Sequence, residues 1–297
     1  MVSVSIAQIV EPDRTQRSWP TSRAASELCE SETDDALAFL AKRPLHNVIL
    51  EGWLTDLKAG EKPTCGRFFK HRDENGLIDG IALIGKHTLL EAHRPAAIRA
   101  FAELARERGD IKMFCAESPA FEIFWRHYSL SARRPRLAMS LSFLTISEPL
   151  HPIDASVRLR PAEIDDLDAV VDAHAGLVRM ETFIDPRIAD ADGFRERCLA
   201  RIRRGDVWLW RDDRGRLVFK LDIASRTRQA LYCEGLWVAP ELRGQGLGRR
   251  GLEAFCRRVL DGSNSVCLFA DSRDDKLQRF YLRSGFLLSG RYKKIYL

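Results

Sequence analysis

The segment Arg243–Arg250 contains residue types whose spacing could bind a phosphate. It reads Arg-Gly-Gln-Gly-Leu-Gly-Arg-Arg. Its three glycines lack Cβ atoms, so successive backbone N–H groups can converge on an anion at the positive end of a following helix. Its arginines add guanidinium groups, which match phosphate oxygens in both charge and geometry. The segment therefore predicts an anion-binding turn.

Two familiar phosphate-binding motifs are alternatives to this interpretation. A Walker-type loop ends in Gly-Lys-Ser/Thr, whereas this segment ends Gly-Arg-Arg, so the phosphate lysine and the magnesium-binding hydroxyl are missing. The stretch Gly246–Gly251 does satisfy the dinucleotide pattern Gly-x-Gly-x-x-Gly, and Asp271 follows about twenty residues later. However, Pro240–Gln245 separates the glycines from the preceding strand, and too little chain follows Asp271 for the remaining parallel strands. Both motifs are set aside.

Composition limits the class of protein. The 297 residues suggest two domains, and 45% hydrophobic with 30% charged residues indicates a globular chain. The net charge of +5 is too mild to indicate a nucleic-acid surface. Seven cysteines without a Cys-x-x-Cys pair, and histidines without ligand spacing, indicate neither disulfides nor a metal site. No apolar run reaches the roughly 20 residues that span a bilayer. We expect a cytoplasmic protein without nucleic-acid or membrane partners.

The elements that must position the glycine segment belong to the second half of the chain. Residues 1–30 are polar and are predicted to be a mobile tail. The proline-interrupted stretch Ser147–Asp154 then marks a boundary between domains at 31–150 and 151–297. Periodicity in the second domain predicts an α+β fold with a mixed sheet. Strands are predicted at 157–160, 207–210, 217–223, 231–238, 266–270 and 290–297. Helices are predicted from residue 164, from the glycine segment to about residue 260, and over 274–284.

The first domain repeats this order of elements more weakly. Strands are predicted at 66–71, 78–84, 111–115 and 137–146, and helices at 96–106 and 119–127. Aligning Ile111–Cys115 with Val266–Ala270 places Trp125 near the position of Tyr281, which indicates two divergent copies of one fold. The first copy has Ala92–Ala97 in place of a glycine turn. We therefore predict that it has lost its phosphate site.

Four segments of the second copy together resemble the GNAT N-acetyltransferase superfamily. Val238–Gly248 resembles its acyl-CoA pyrophosphate loop, Cys267–Asp271 its fifth strand, Phe280–Phe286 its Tyr-x-x-x-Gly-Phe helix end, and Leu159–Asp166 its opening strand and helix. The resemblance covers about 140 residues. It implies a mixed twisted sheet flanked by helices, in tandem, with a degenerate first copy. It also implies metal-independent transfer of acetyl from acetyl-CoA to a primary amine by direct attack in a ternary complex.

The resemblance also implies where acetyl-CoA binds. In this family the acyl donor lies between the fourth and fifth strands, and its pantetheine pairs with the backbone of the fourth. Here those residues are Leu236, Trp237 and Val238. The diphosphate-binding residues are expected to be Arg243, Gly244, Gln245, Gly246, Leu247, Gly248 and Arg249. Asp271 and Asp274 stand where the family often has asparagine, so amide contacts there are not carried over.

Two residues are expected to move protons in this reaction. Tyr281 occupies the family's general-acid position, where it could protonate the leaving thiolate; the alternative is a helix tyrosine that packs under Phe286. Glu234 lies in an otherwise apolar strand, where a carboxylate is costly unless it is paired or reaches a cleft. It could accept the proton of the amine through water, or it could form a salt bridge to a neighbouring strand.

The acceptor is the least determined part of the prediction. Asp222 and Glu181 could hold a cationic acceptor, or they could be ordinary solvated acidic residues. The first domain is expected either to roof the acceptor pocket or to form the face of a homodimer. The alternatives to acetyl transfer are the same fold with a longer acyl or an aminoacyl donor, and a CoA-binding or interaction module without turnover.

Overall fold

The computed structural model describes residues 25–61, 65–129, 134–149, 154, 156–260 and 265–297. The tail predicted over residues 1–30 lies outside the described residues as far as residue 24. From Ala25 the chain forms a strand that pairs with residues 69–71, so the tail does not include residues 25–30. The inter-domain stretch predicted at Ser147–Asp154 is likewise outside the described residues at positions 150–153.

The two halves of the chain contain matching series of elements. The first half forms β1 (Ala25–Glu27), α1 (Thr33–Leu40), α2 (Val48–Lys58), β2 (Arg67–Arg72), β3 (Ile78–Ile84), β4 (His87–Ala92), α3 (Pro95–Arg108), β5 (Met113–Glu117), α4 (Ser118–Tyr128) and β6 (Leu137–Ile146). The second half forms β7 (Leu159–Pro161), α5 (Leu167–Thr182), α6 (Pro186–Ala189), α7 (Ala191–Arg203), β8 (Val207–Arg211), β9 (Leu217–Arg226), β10 (Ala230–Val238), α8 (Leu247–Val259), β11 (Ser265–Asp271), α9 (Asp275–Arg283) and β12 (Leu287–Tyr296). Among the α-helices and strands of the described residues, the short helix α6 is the one extra element of the second series.

The described residues divide into two compact units. Ser142–Ser289 form the C-terminal unit, and residues 25–141 together with Gly290–Leu297 form the N-terminal unit. The sheet of the C-terminal unit has the strand order β6-β11-β10-β9-β8-β7, and that of the N-terminal unit β1-β2-β3-β4-β5-β12. Each sheet is thus completed by the strand that ends the other half of the chain.

Helices cover both faces of the sheet in the C-terminal unit. Successive side chains of each strand point to opposite faces, and both faces are apolar. Trp210 faces a core shared with α8 and α9, whereas Leu209 faces a core shared with α5 and α7. The apolar stripe of α8, Leu252, Phe255 and Cys256, is buried as its spacing predicts. The sheet is mixed, since β10 and β11 are parallel and β7 to β10 are antiparallel.

The N-terminal unit is built in the same way around one large apolar core. Helices α3 and α4 pack on β3, β4 and β5, and Phe114 stacks between Phe121 and Phe124 of α4. Strands β4 and β5 are parallel, and β12 pairs antiparallel with β5 from Tyr292 to Tyr296. In the described part of the chain, no helix is long and apolar enough to cross a membrane. No group of three or more metal-ligating side chains is close enough in those residues to hold a metal ion.

Candidate active site

Strands β10 and β11 separate after a short parallel pairing. They pair only over residues 230–232 and 265–267, whereas β10 continues to Val238 with β9 on its other side. The carboxyl ends of the two strands therefore diverge, and a wedge opens between them within the C-terminal unit. Leu236, Trp237 and Val238, the residues predicted to pair with pantetheine, lie on the edge of β10 that faces this wedge.

A bulge in β10 precedes this edge. Glu234 is opposite Asp222 and Trp237 is opposite Lys220, so two residues of β10 face one residue of β9. The first of the two, Gly235, has a φ of +66°, a conformation that residues with a Cβ rarely adopt. The bulge changes the direction of the backbone that enters the wedge.

The glycine segment connects β10 to α8 as the sequence predicts. Gly244 and Gly246 have φ angles of +81° and +78°, and a Cβ at either position would meet no atom within 4 Å. Gly246 is the N-cap of α8, which has neither a side-chain cap nor an acidic residue in its first turn. The first N–H groups of the helix therefore face open space at its positive end. This geometry suits a bound phosphate.

Close packing holds the start of α8 against the sheet. A Cβ at Gly248 would lie 3.1 Å from Val238 Cγ2, and a Cβ at Gly251 would lie 2.6 Å from the ring of Phe219. Because neither glycine has a side chain, the first turn of the helix can approach the end of β10. The anion-binding turn and the wedge are thereby neighbours.

The arginines of the segment have different partners. Arg243 is exposed, and its Nε donates to the carbonyl of Val238 at 3.1 Å. Arg249 is also exposed and pairs with Glu253 one turn along α8 at 3.4 Å. Arg250 instead pairs with Asp154 at 2.7 Å and lies over the ring of Trp210. The prediction that all three arginines surround the turn is therefore corrected for Arg250.

Tyr281 lies inside the core beside the diverging strands. Its ring contacts Phe280 and Phe286 edge-on, with centroids 5.0 and 5.6 Å apart. The same core contains Leu236 of β10 and Leu268 of β11. Packing against Phe286 is present, as one interpretation of the sequence expected, and Tyr281 shares this core with residues of both diverging strands.

A group of buried charged side chains connects the sheet to α5 and α7. We call it the charge cluster: His174, Arg201, Lys220, Asp222 and Glu234. Lys220 Nζ donates to Asp222 Oδ2 at 2.6 Å. Arg201 lies 3.3 Å from Asp222 and 3.3 Å from Glu234. His174 Nδ1 lies 3.3 Å from Asp222 Oδ2. The cluster thus combines two cations, two carboxylates and one imidazole.

Apart from the histidine, the cluster contains as many acidic as basic side chains, and each acidic side chain has a basic partner. Burial alone would raise the pKa of Asp222, but Lys220, His174 and Arg201 together hold that pKa below its usual range. Burial and the charge of Lys220 lower the pKa of His174 to about 4, so its imidazole is uncharged at neutral pH. Buried charges are tolerated only when they are paired in this way.

This arrangement bears on three residues predicted to act in the reaction. Glu234 is 0% exposed and paired with Arg201, which favours the salt-bridge interpretation, with the partner on a helix rather than on a neighbouring strand. Asp222 is enclosed by Lys220 and is not a solvated acidic residue. Glu181 is buried in the last turn of α5.

Sequence reasoning missed the cations of the cluster, although a signal was present. Lys220 and Asp222 are alternate residues of one strand, so they lie on the same face. Arg201 follows Cys198 by one helical turn and borders the buried stripe of α7. Charges placed on an inward face predict ion pairing, but the partners come from other elements.

The N-terminal unit has a corresponding wedge that is closed by an ion pair. Strands β4 and β5 also pair over only three residues, 87–89 with 113–115. Two residues further along each strand, Glu91 and Glu117 are bridged by Arg43 at 3.1 and 3.0 Å. Helix α3 begins at Pro95 without a glycine turn. Among the described residues of this unit, no counterpart of the anion-binding turn is formed.

Comparisons with known proteins agree with this geometry. Residues 203–287 match the family model of the acetyltransferase (GNAT) domain. That range contains the bulge, the anion-binding turn, both diverging strands and Tyr281. The resemblance seen in the sequence is thereby confirmed for the second copy. No curated protein matches the chain.

Solved structures show that the fold of the chain is that of tandem GNAT proteins. A Drosophila protein has a TM-score of 0.62 at 14% identity, over 92% of this chain and 98% of its own. A tandem GNAT protein from the clavulanic acid biosynthesis pathway has a TM-score of 0.59 at 14% identity, over 91% of this chain and 97% of its own. A GNAT-family acetyltransferase from Colwellia psychrerythraea has a TM-score of 0.55 at 13% identity, over 92% and 99%. The predicted α+β fold with mixed sheets is confirmed.

Proposed function

We propose that the chain is an acyl-CoA-dependent N-acyltransferase whose donor site is in the C-terminal unit, and that the acyl group is acetyl. One observation carries the proposal: the wedge between β10 and β11 lies next to an uncapped helix N-terminus with an open glycine turn. A ligand with an extended arm and a diphosphate fits both features at once. Coenzyme A has both.

The donor is bound by backbone groups at two places. The amides of residues 244–249, together with Arg243, bind the diphosphate at the N-terminus of α8. The pantetheine arm pairs with Leu236–Val238 in the manner of an added strand, and this fixes the thioester in the wedge. The closed wedge of the N-terminal unit, bridged by Arg43, explains why only one donor site is proposed.

The chemistry follows from that placement. An amine attacks the thioester carbonyl, and negative charge develops on the carbonyl oxygen. A backbone N–H of β10 at the bulge can stabilise that oxygen. The C–S bond then breaks and Tyr281 donates its proton to the thiolate, while the attacking nitrogen releases one proton to solvent water as it becomes the amide and the phenolate of Tyr281 regains a proton from that water. Glu234 is fully buried and paired with Arg201, so we assign it a structural role rather than that of the base.

The acceptor is a primary amine of a small molecule or a protein. A cytoplasmic location, metal independence and the role of the first domain, either as the roof of the acceptor pocket or as the face of a homodimer, stay predictions from the sequence. The functional proposal itself is tested by calorimetric titration with acetyl-CoA, followed by detection of released thiol over a panel of amines. Saturable binding with turnover of at least one amine supports it. Binding without turnover of any amine identifies a CoA-binding module instead, and no binding overturns the donor site.

A further inference from the structure

The charge cluster touches the bulge of β10. A Cβ placed on Gly235 would lie 2.8 Å from Asp222 Oδ2 and 3.3 Å from Lys220 Nζ. The backbone of the bulge therefore rests directly on the Lys220–Asp222 ion pair. Any shift of Gly235 toward β9 is blocked by these two side chains.

The ion pair also connects the two ends of the bulge. Asp222 is the register partner of Glu234, where the bulge begins, and Lys220 is the register partner of Trp237, where it ends. Arg201 adds a second connection, from Asp222 across to Glu234. Both strands are thus held at the point where their register changes.

A comparison with the N-terminal unit distinguishes the role of the Lys220–Asp222 pair from that of Arg201. There, Glu91 of β4 pairs with Arg43 much as Glu234 pairs with Arg201. However, β4 pairs with β3 in unbroken register, and an apolar residue, Ile81, is opposite Glu91. An arginine–glutamate pair to this strand therefore occurs without a bulge. Strand β9 carries the lysine–aspartate pair beside the bulge, whereas β3, the neighbour of β4, contains no lysine.

We propose that Lys220 is a positioning residue for the acyl donor: paired with Asp222, it fixes the bulge so that the backbone of Leu236–Val238 faces the wedge. Lys220 is 0% exposed and does not touch the donor itself. It acts on the pantetheine end of the site, whereas the anion-binding turn is held independently by the packing of α8. The inference rests on the proposed function.

The experiment compares two ligands that share only part of the site. Acetyl-CoA uses both the turn and the edge of β10, whereas adenosine 3′-phosphate 5′-diphosphate keeps the diphosphate and lacks pantetheine. In Lys220→Met, acetyl-CoA binding should weaken about tenfold, the equivalent of one or two backbone hydrogen bonds, while binding of the fragment stays within twofold. Both dissociation constants are measured by calorimetry well below the melting temperature.

Arg43→Met is the matched control, because it breaks a partly buried ion pair in the unit without the anion-binding turn. It should lower the melting temperature and leave the ratio of the two dissociation constants unchanged. Asp222→Asn keeps the volume of the side chain and should give a smaller change in the same direction as Lys220→Met. It decides the question if Lys220→Met does not fold.

The outcomes distinguish a failure of the positioning role from a failure of the proposed function. Equal weakening of both ligands, or an unchanged ratio in both cluster variants, overturns the positioning role of Lys220. If the wild-type protein binds neither ligand, the proposed function itself fails. The inference is supported if Lys220→Met and Asp222→Asn bind acetyl-CoA more weakly relative to the fragment, while Arg43→Met keeps the wild-type ratio.

Discussion

Replacing Gly246 by aspartate tests whether the N-terminus of α8 holds the diphosphate of the donor. The position is exposed, its φ is +78° and a Cβ would meet nothing within 4 Å, so an added side chain has room. Aspartate and asparagine both tolerate this left-handed conformation and both are good N-caps. We therefore expect both variants to fold with melting temperatures close to that of the wild type.

The two variants differ only in one negative charge next to the bound phosphate. At about 5 Å and an effective dielectric constant of about 20, a carboxylate and a phosphate charge repel each other by about 3 kcal/mol. That corresponds to roughly 100-fold weaker binding of CoA to Gly246→Asp than to Gly246→Asn. Calorimetry at low salt measures the ratio, and added salt should reduce it, because mobile ions screen exposed charges. A ratio below threefold at low salt would show that the diphosphate does not bind at this turn.

Further predictions concern proton transfer and the charge cluster. Tyr281→Phe should lower kcat about 100-fold or more while the dissociation constant of CoA stays within threefold, as steady-state kinetics and calorimetry would show; an unchanged kcat removes Tyr281 from the acid role. Glu234→Gln should lower the melting temperature but reduce kcat less than tenfold, and a loss of 100-fold or more would instead identify Glu234 as the base. The pKa of His174 is about 4 in the folded protein and about 6.5 in the unfolded chain, so the free energy of unfolding decreases as the pH falls from about 6.5 to about 4. By pH 5 the loss should be about 2 kcal/mol, and a His174→Gln variant should remove that slope from chemical denaturation curves.

Local patterns in the sequence predicted most elements of the C-terminal unit. Strand β10 and helix α8 were expected at 231–238 and to about residue 260, and they lie at Ala230–Val238 and Leu247–Val259. The glycine turn was expected between them, and it is formed there. These predictions succeed because apolar periodicity and glycine spacing are properties of neighbouring residues. Strand β4 was not predicted, although its position in the N-terminal unit corresponds to that of β10.

The partners of buried charges could not be predicted in this way. Glu234 was recognised as an unusual carboxylate in an apolar strand, but its partner Arg201 lies 33 residues earlier in the chain, on helix α7. Asp222 was interpreted either as a ligand of a cationic acceptor or as a solvated acidic residue, whereas it is buried and paired with Lys220. Which cation neutralises a buried carboxylate depends on how helices lie over the sheet, and no local pattern encodes this.

The sequence by itself determined the type of fold, most of the elements around the site and the turn that can hold a phosphate, since each depends on residues a few positions apart. The tertiary structure decided which sheet each final strand joins: β12 pairs with β5, more than 170 residues earlier, and β6 lies beside β11. It also decided where β10 and β11 separate and which charges meet beneath the bulge. The physical reason is that strand pairing and ion pairing are made between distant segments, and an edge strand's own residues do not specify its neighbour.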